Sequence, residues 1–584
     1  MSRRWIKSVL VFFLVSIGGS VWIARSTAPT SYELSIYRET PLLVWLLIGI
    51  VLAGSMMIVL VSGRRLYRFA FGATATTAML AVVWMPMIRG YFFFDEFDAM
   101  THWGTLRALS DGSLLLSDLF YPALTGISLV LARVSGQSLR WSLLFTALVI
   151  PTLSVIWIVA AARSLDNCAN VGGISLACAL LFAPLNPLNV ILVPHNSTQA
   201  IFLAGFPLLA TILYLRTGNR RLIVPLSLGL LVLYTFHPQQ MLNFLFFFAG
   251  LLIMMIFWRR IARTSHQRYA RNPWILFLAA GAFATIALLS HSRFQDSFSW
   301  VIISIFKSVS AGGVSGRASS LTALDVSLPL LAAKAGAKYL VLGIGMLAAL
   351  IWRRRQTTIP EIAYVAGLVP IAGMGTVFLS IGSGNQMVRY IGMAVMLSVP
   401  LAAVGLARLN DTLSPSEHWS VSASQMAVAV LLLGGIIAAI PTIHHAPYTE
   451  RYSPHVPEAQ YESYGTMLEH ASPDATFTHI RSKSYRYYHA RYGFDHSEGP
   501  TAPFLPPRRE GTVPSHFKEV EKEYNEPFYI AITQADVRRD AELYNGFRYS
   551  HADISGLADR PEYGRVYDSD QLWVYFNEEE GELK

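Results

Sequence analysis

The sequence predicts a polytopic α-helical membrane protein of about 13 spans with a small C-terminal extracytoplasmic α/β or α+β domain. Three observations predict it. Of 584 residues, 53% are hydrophobic and only 14% charged, with a mean hydropathy of +0.42, whereas soluble chains carry roughly 25% charged residues. Apolar runs of about 20 residues recur, the length a helix needs to cross a hydrocarbon core of about 30 Å. The charge is also split. From His445 onward there are 15 Lys and Arg against 24 Asp and Glu, net −9, and before it 31 against 13, net +18. Lipid cannot satisfy an exposed strand edge, so the apolar runs are read as helices.

The chain opens with "MSRRWIKSVLVFFLVSIGGSVWIA", basic and then apolar over a full span. No convincing small-residue cleavage site follows, so it reads as a retained first helix at 5–24 rather than a signal peptide. Further spans are expected at about 41–62, 66–88, 141–162, 171–193, 197–215, 221–236, 239–258, 273–291, 336–352, 360–381, 388–408 and 422–442. Arginine clusters at Arg64, Arg65 and Arg68, at Arg216, Arg220 and Arg221, at 259–271 and at 353–355 assign those loops, with the amino terminus, to the cytoplasm by the positive-inside rule. These basic residues are topology signals in short loops, which argues against nucleic acid as a partner. Cys168 and Cys178 sit in or beside apolar segments and make no disulfide framework.

With that orientation, "DEFDAMTHW", "VPHNSTQ", "FHPQQ", "HSRFQDSF", "GSGNQMVRY" and everything after about 443 lie outside. The apolar stretch Tyr121–Leu131 would reverse the sidedness if it crossed. It is short, with Arg133 and Arg140 close behind, so it reads as a juxtamembrane or re-entrant helix. A polar, aromatic linker begins near 443. After it, "ATFTHI", "PFYIAIT" and "QLWVYFN" read as strands, and "SHFKEVEKEY" and "ADVRRDAELY" as helices. The expected organisation is two N-terminal membrane helices (1–65), a transmembrane module (66–444) with an outer acidic loop at 89–120, and an extracytoplasmic domain (445–584).

The chemistry-bearing stretch is "GYFFFDEFDAMTHWGTLRALSDG", from Gly90. Read as a helix start, it places Asp95, Asp98 and His102 at i, i+3 and i+7, on one face. Acids here suit a helix amino terminus by its dipole, and they equally suit catalysis.

The acidic loop after a span, then "LFYPALTGISLVLARVSG", "SVIWIVAAARSL" and the span pair meeting at "VPHNSTQ", resembles the GT-C superfamily of polyprenyl-phosphate-sugar-dependent glycosyltransferases, the group of protein O-mannosyltransferases and aminoarabinose transferases. Here Pro122 stands for the family's double proline, and His195, Asn196 and Gln199 stand at a corner that is R-x-x-x-D in the family. The resemblance covers about residues 66–260. It implies an enzyme that transfers a sugar from a lipid-phosphate donor to a hydroxyl of a glycan, lipid or protein acceptor at the outer face of the cell membrane. It makes Asp95 the expected base, with Glu96 or Asp98 as substitutes. The leaving phosphate needs cationic or N–H partners. Candidates for substrate contacts are His102, His195, His237, Gln239, Gln240, Asn385, Arg389 and Lys338, with Arg293 read as a headgroup contact.

No metal site is assigned, although Asp95, Asp98 and His102 form a set that would suit magnesium or manganese. The outer domain is expected to recognise the acceptor through aromatics such as Tyr485, Tyr487, Tyr488 and Trp573. The rival readings are a transporter or lipid-sugar flippase, and a polysaccharide polymerase or ligase. A transporter would carry broken helices in both halves and midplane charges, whereas the ionisable residues here gather at outer span ends.

Overall fold

A computed structural model describes residues 3–577 apart from 63, 168–169, 183–193, 263–277, 279–280, 284, 287–327, 353–358, 381–383, 413–422, 448–451, 472–475, 481, 495–526 and 544–548. The loop "HSRFQDSF" with Arg293, the expected helix "SHFKEVEKEY" and nearly all of the span expected at 273–291 lie outside the described residues.

The protein is a multi-pass helical membrane protein with a small mixed sheet near its carboxyl end. Among the described residues, nine helices are long and apolar enough to cross a bilayer: Arg4–Ser26, Leu42–Val61, Arg65–Val83, Leu139–Leu165, Asn196–Thr217, Pro238–Phe257, Glu361–Phe378, Arg389–Asp411 and Gln425–Thr442. Val171–Leu181 and Tyr339–Ile351 are shorter apolar helices at two further expected spans.

The chain forms two compact units. The first comprises Met1–Trp22, Leu43–Trp84 and Ala147–Ile443. Its helices approach where side chains vanish. A Cβ on Gly405 would meet the Gly345 carbonyl oxygen at 1.8 Å, and one on Gly367 would meet the Phe247 carbonyl oxygen at 2.7 Å. Lipid gives helices no hydrophobic push toward each other, so close backbone packing must supply the attraction. At one end of this unit Arg408 is buried. Its Nε donates to Asp166 Oδ2 at 2.8 Å, and its Nη1 donates to Glu361 Oε1 at 2.6 Å.

The second unit comprises Ile23–Leu42, Met85–Thr146 and His444–Lys584. It joins the segment after the first helix, the acidic loop and the C-terminal region. Among the described residues its sheet has four strands, β1 (Thr476–His479), β2 (Phe528–Thr533), β3 (Tyr563–Asp568) and β4 (Leu572–Asn577), in the order β1-β2-β4-β3. β1 and β2 are parallel, and the other pairs are antiparallel. The expected strands are β1, β2 and β4. The segment 535–544, expected helical, lies where a turn of α-helix (Gln534–Val537) widens into a π-helix (Arg538–Leu543).

Two features of this unit depart from the sequence reading. The segment read as a linker contains a 13-residue helix, Glu458–His470, which buries Tyr461, Tyr464 and Met467 at intervals of three. Tyr487, expected to contact the acceptor, is buried and stacks on Tyr464 with ring centroids 3.8 Å apart. Trp573 packs against the sheet's core, while Tyr485 and Tyr488 are half-buried.

The apolar stretch after the acidic loop forms the helix Pro122–Ser135, closed by Gly136 in the left-handed region. At 14 residues it is about 21 Å long, too short to span unaided. Ile127, Val130 and Val134 are exposed at i, i+3 and i+7, an apolar stripe of the kind a juxtamembrane helix lays on lipid.

Candidate active site

The acidic loop is built as a fixed ledge. Arg89 precedes it, fully buried, and its guanidinium pairs with Glu33, in the segment after the first helix, while donating to the Thr27 carbonyl. Tyr91 also donates to Glu33. Phe93 exchanges backbone hydrogen bonds with Val456, at 3.2 and 3.0 Å, and the Glu96 N–H donates to the Pro454 carbonyl at 2.9 Å. His455 lies between these strands of chain. Its ring stacks on Tyr32 with centroids 4.9 Å apart, and its Nε2 accepts from the Glu33 N–H at 3.2 Å. Burial lowers its pKa to about 3, so the ring is neutral at ordinary pH.

The helix Asp98–Asp111 then runs against Ser484–Tyr492. Gly104 permits the approach, because a Cβ there would meet the His489 carbonyl oxygen at 2.2 Å. Trp103 is buried between Phe93 and Tyr461, with centroids 5.2 and 5.0 Å away.

On this ledge the three neighbouring acids have different environments. Asp95 is 6% exposed, and its Oδ2 accepts from the Ala99 N–H at 3.4 Å. Burial first and the nearby Asp98 second push its pKa up to about 7. Glu96 is 1% exposed and fully engaged. Oε1 accepts from the Tyr452 hydroxyl and Oε2 from the Ser482 hydroxyl, both at 2.7 Å. Burial, with Asp536 adding to it, raises its pKa too. A polar chain continues from Ser482 to Thr533 at 3.0 Å and from Thr533 to Asp536 at 2.8 Å. Asp98 is half exposed and pairs with Arg486 Nη2 at 2.7 Å. His102, one turn on, is half-buried.

Beside the loop lies a cavity of about 580 Å³. Its lining includes Arg25, Gly90, Tyr91, Phe92, Arg140 and, as its acid, Glu458. Arg140 donates to the Phe92 carbonyl, and its guanidinium carbon sits 4.0 Å from the Phe92 ring centroid. Gly90 has φ +85°, and a Cβ there would strike the Arg25 Nη1 at 2.4 Å. Phe92 is three residues before Asp95, so their Cα atoms are at most roughly 11 Å apart. Sequence reading missed Arg25 and Arg140 as cavity residues. Arg25 closes the first helix and Arg140 opens a span, so each looks like an ordinary flanking charge.

The other expected contacts belong to the first unit, at the ends of helices. Gln239 accepts from Arg389 Nη1 at 3.1 Å. Gln240 donates to Ser197 at 2.9 Å and accepts from Asn243 at 3.0 Å. His237 is buried at the junction of Ile223–Phe236 and Pro238–Ala262, and half-buried His195 precedes the helix Asn196–Leu203. Five expected residues thus sit in one polar corner. Lys338 and Asn385 lie in the helices Leu328–Ile351 and Gly384–Thr412, with side chains outside the described residues.

The carboxylates do not assemble as a cage for magnesium or manganese. Among the described residues, no three His, Cys, Asp or Glu side chains converge on one point. The guanidinium of Arg486 already holds Asp98.

No protein-family model matches the sequence, and no curated protein matches it. Solved structures are similar in architecture. ArnT from Cupriavidus metallidurans bound to undecaprenyl phosphate aligns with a TM-score of 0.48 at 12% identity, covering 88% of this chain and 98% of that one. The archaeal oligosaccharyltransferase AglB from Archaeoglobus fulgidus, in complex with an inhibitory peptide and a dolichol-phosphate, aligns with a TM-score of 0.48 at 12% identity, covering 88% and 75%. The Archaeoglobus fulgidus oligosaccharyltransferase complex with zinc and sulfate aligns at 0.47 and 13%, covering 91% and 73%.

Proposed function

We propose that this chain is an integral-membrane glycosyltransferase that moves a sugar from a polyprenyl-phosphate donor to a hydroxyl acceptor at the outer membrane face. The observation that carries the reading is Asp95, a carboxyl group buried on a hydrogen-bonded loop and raised to a pKa of about 7. The sequence resemblance over about residues 66–260 supplies the reaction class.

The acceptor oxygen attacks the anomeric carbon and forms the new glycosidic bond. The bond from that carbon to the donor phosphate breaks, and its electron pair leaves with the phosphate. The acceptor proton passes to Asp95. A base whose pKa lies near the working pH combines availability with driving force. Arg25 and Arg140 line the neighbouring cavity and are the proposed partners of the leaving phosphate, because charge-assisted bonds to phosphate strengthen as it gains negative charge. In this reading Glu96 and Asp98 are positioning residues, one holding Tyr452 and Ser482 and the other Arg486.

The test compares lipid-linked and surface glycans with the gene intact, deleted, and carrying Asp95→Asn. The reading expects a glycan lost on deletion and not restored by Asp95→Asn. Full restoration by that variant overturns the base assignment. Unchanged glycans on deletion overturn the enzyme reading.

A further inference from the structure

The first unit holds a second cavity, of about 490 Å³, that the proposed chemistry does not use. Its volume lies within the roughly 300–1,000 Å³ typical of small-molecule sites. Arg65, Arg68 and Arg163 line it, and so do the apolar Phe69 and Leu176. Arg163 comes from the far end of Leu139–Leu165, about a hundred positions beyond the other two arginines. Its stem lies over Gly172, where a Cβ would sit 3.7 Å from Arg163 Cδ. The acid in the wall, Asp166, is held by Arg408 at 2.8 Å. Among the described residues, neither Arg65 nor Arg163 pairs with a carboxylate. The helices Arg65–Val83 and Val171–Phe182 both begin at this cavity, and helix amino termini favour anions.

We infer that this cavity binds the phosphate group of an anionic phospholipid from the leaflet on the arginine-rich side. The shared chemistry is a phosphate anion, and the wall favours a lipid source. Phe69 lines the cavity yet is 77% exposed, and Leu66 beside it is 70% exposed. The cavity's lining therefore continues onto an apolar surface that would receive an acyl chain. Basic pockets between membrane helices hold lipid headgroups in this manner.

The test uses the full-length protein stripped of lipid in neutral detergent. Native mass spectrometry and thermal unfolding are followed on addition of phosphatidylglycerol, phosphatidylcholine or inorganic phosphate. Phosphatidylglycerol should bind and raise the unfolding temperature, and phosphatidylcholine should not. R65Q/R163Q should weaken that binding roughly 20- to 30-fold, from about 1 kcal/mol per basic residue. Each single variant should weaken it about fivefold. R216Q/R220Q removes the same charge from exposed positions at another helix end and should change binding less than about threefold. Equal loss from this control pair would reduce the effect to general surface charge and overturn the site. Equal stabilisation by inorganic phosphate alone would overturn the lipid source.

Discussion

Glu96 accepts a 2.7 Å hydrogen bond from Ser482, a residue 386 positions further along the chain. The bond locks the acidic loop to the C-terminal region inside one compact unit. It also separates the roles of two adjacent acids, since among the described residues Asp95 has no such hydroxyl partner. Replacing Glu96 with alanine removes the carboxylate acceptor of both the Tyr452 and Ser482 hydroxyls in a buried site, at a cost on the order of 2–4 kcal/mol. Glu96→Gln keeps an acceptor oxygen and should lose less than half of that. Unfolding of the purified variants in detergent measures both. Equal stability of wild type and Glu96→Ala would refute the bolting role.

The raised pKa of Asp95 gives activity and stability opposite dependences on pH. Folding lifts the carboxyl from its ordinary 3.8 to about 7. The folded state therefore holds an extra proton between those values, and stability falls as pH rises from about 4 through about 7. Ionised Asp95 then costs roughly 4 kcal/mol, at about 1.4 kcal/mol per pKa unit. Transfer needs the ionised form, so kcat/KM should climb through pH 7 to a plateau. Asp95→Asn should be inactive yet more stable than wild type at pH 8, with little difference at pH 4. A pH-independent stability gap between the two proteins would contradict the assignment.

Much of this architecture was legible in the sequence because its causes are local. Apolar run length marked the spans, and alternation with β-branched and aromatic residues marked β1, β2 and β4. The stripe of Ile127, Val130 and Val134 belongs to a helix that the sidedness argument had already placed outside the spans. The strand β3 was missed because it is an edge strand whose middle residues are exposed, which erases the alternation. The helix Glu458–His470 was missed because its buried face consists of tyrosines and a methionine within a polar stretch. Partnerships across the chain were illegible for a different reason. Nothing near Asp98 announces Arg486, and nothing near Arg89 announces Glu33. Asp95 and Glu96 look alike in sequence, and only tertiary burial separates them.

Gly104 should tolerate no side chain. The nearest obstacle to its Cβ is the His489 backbone carbonyl at 2.2 Å, which cannot swing aside as a side chain would. Gly104→Ala should therefore force the helices Asp98–Asp111 and Ser484–Tyr492 apart, costing about 1–3 kcal/mol and reducing transfer by displacing the acidic loop. Gly434→Ala serves as the control, because nothing lies within 4 Å of its Cβ. Limited proteolysis should find the C-terminal region more exposed in Gly104→Ala and unchanged in Gly434→Ala.

Arg408 provides the corresponding test in the first unit. Its one guanidinium serves two carboxylates, Asp166 and Glu361, whose side chains are 9% and 5% exposed. Arg408→Met leaves both acids buried without their cation. Breaking a buried ion pair from one side costs about 3–5 kcal/mol, far more than the hydrogen bonds alone would suggest. The triple variant R408M/D166N/E361Q removes the stranded charges and should recover most of the loss, since replacing a whole buried ion cluster is often nearly neutral. Thermal unfolding of the single and triple variants separates these outcomes. A single variant as stable as wild type would mean that the carboxylates find other partners or take up protons at little cost.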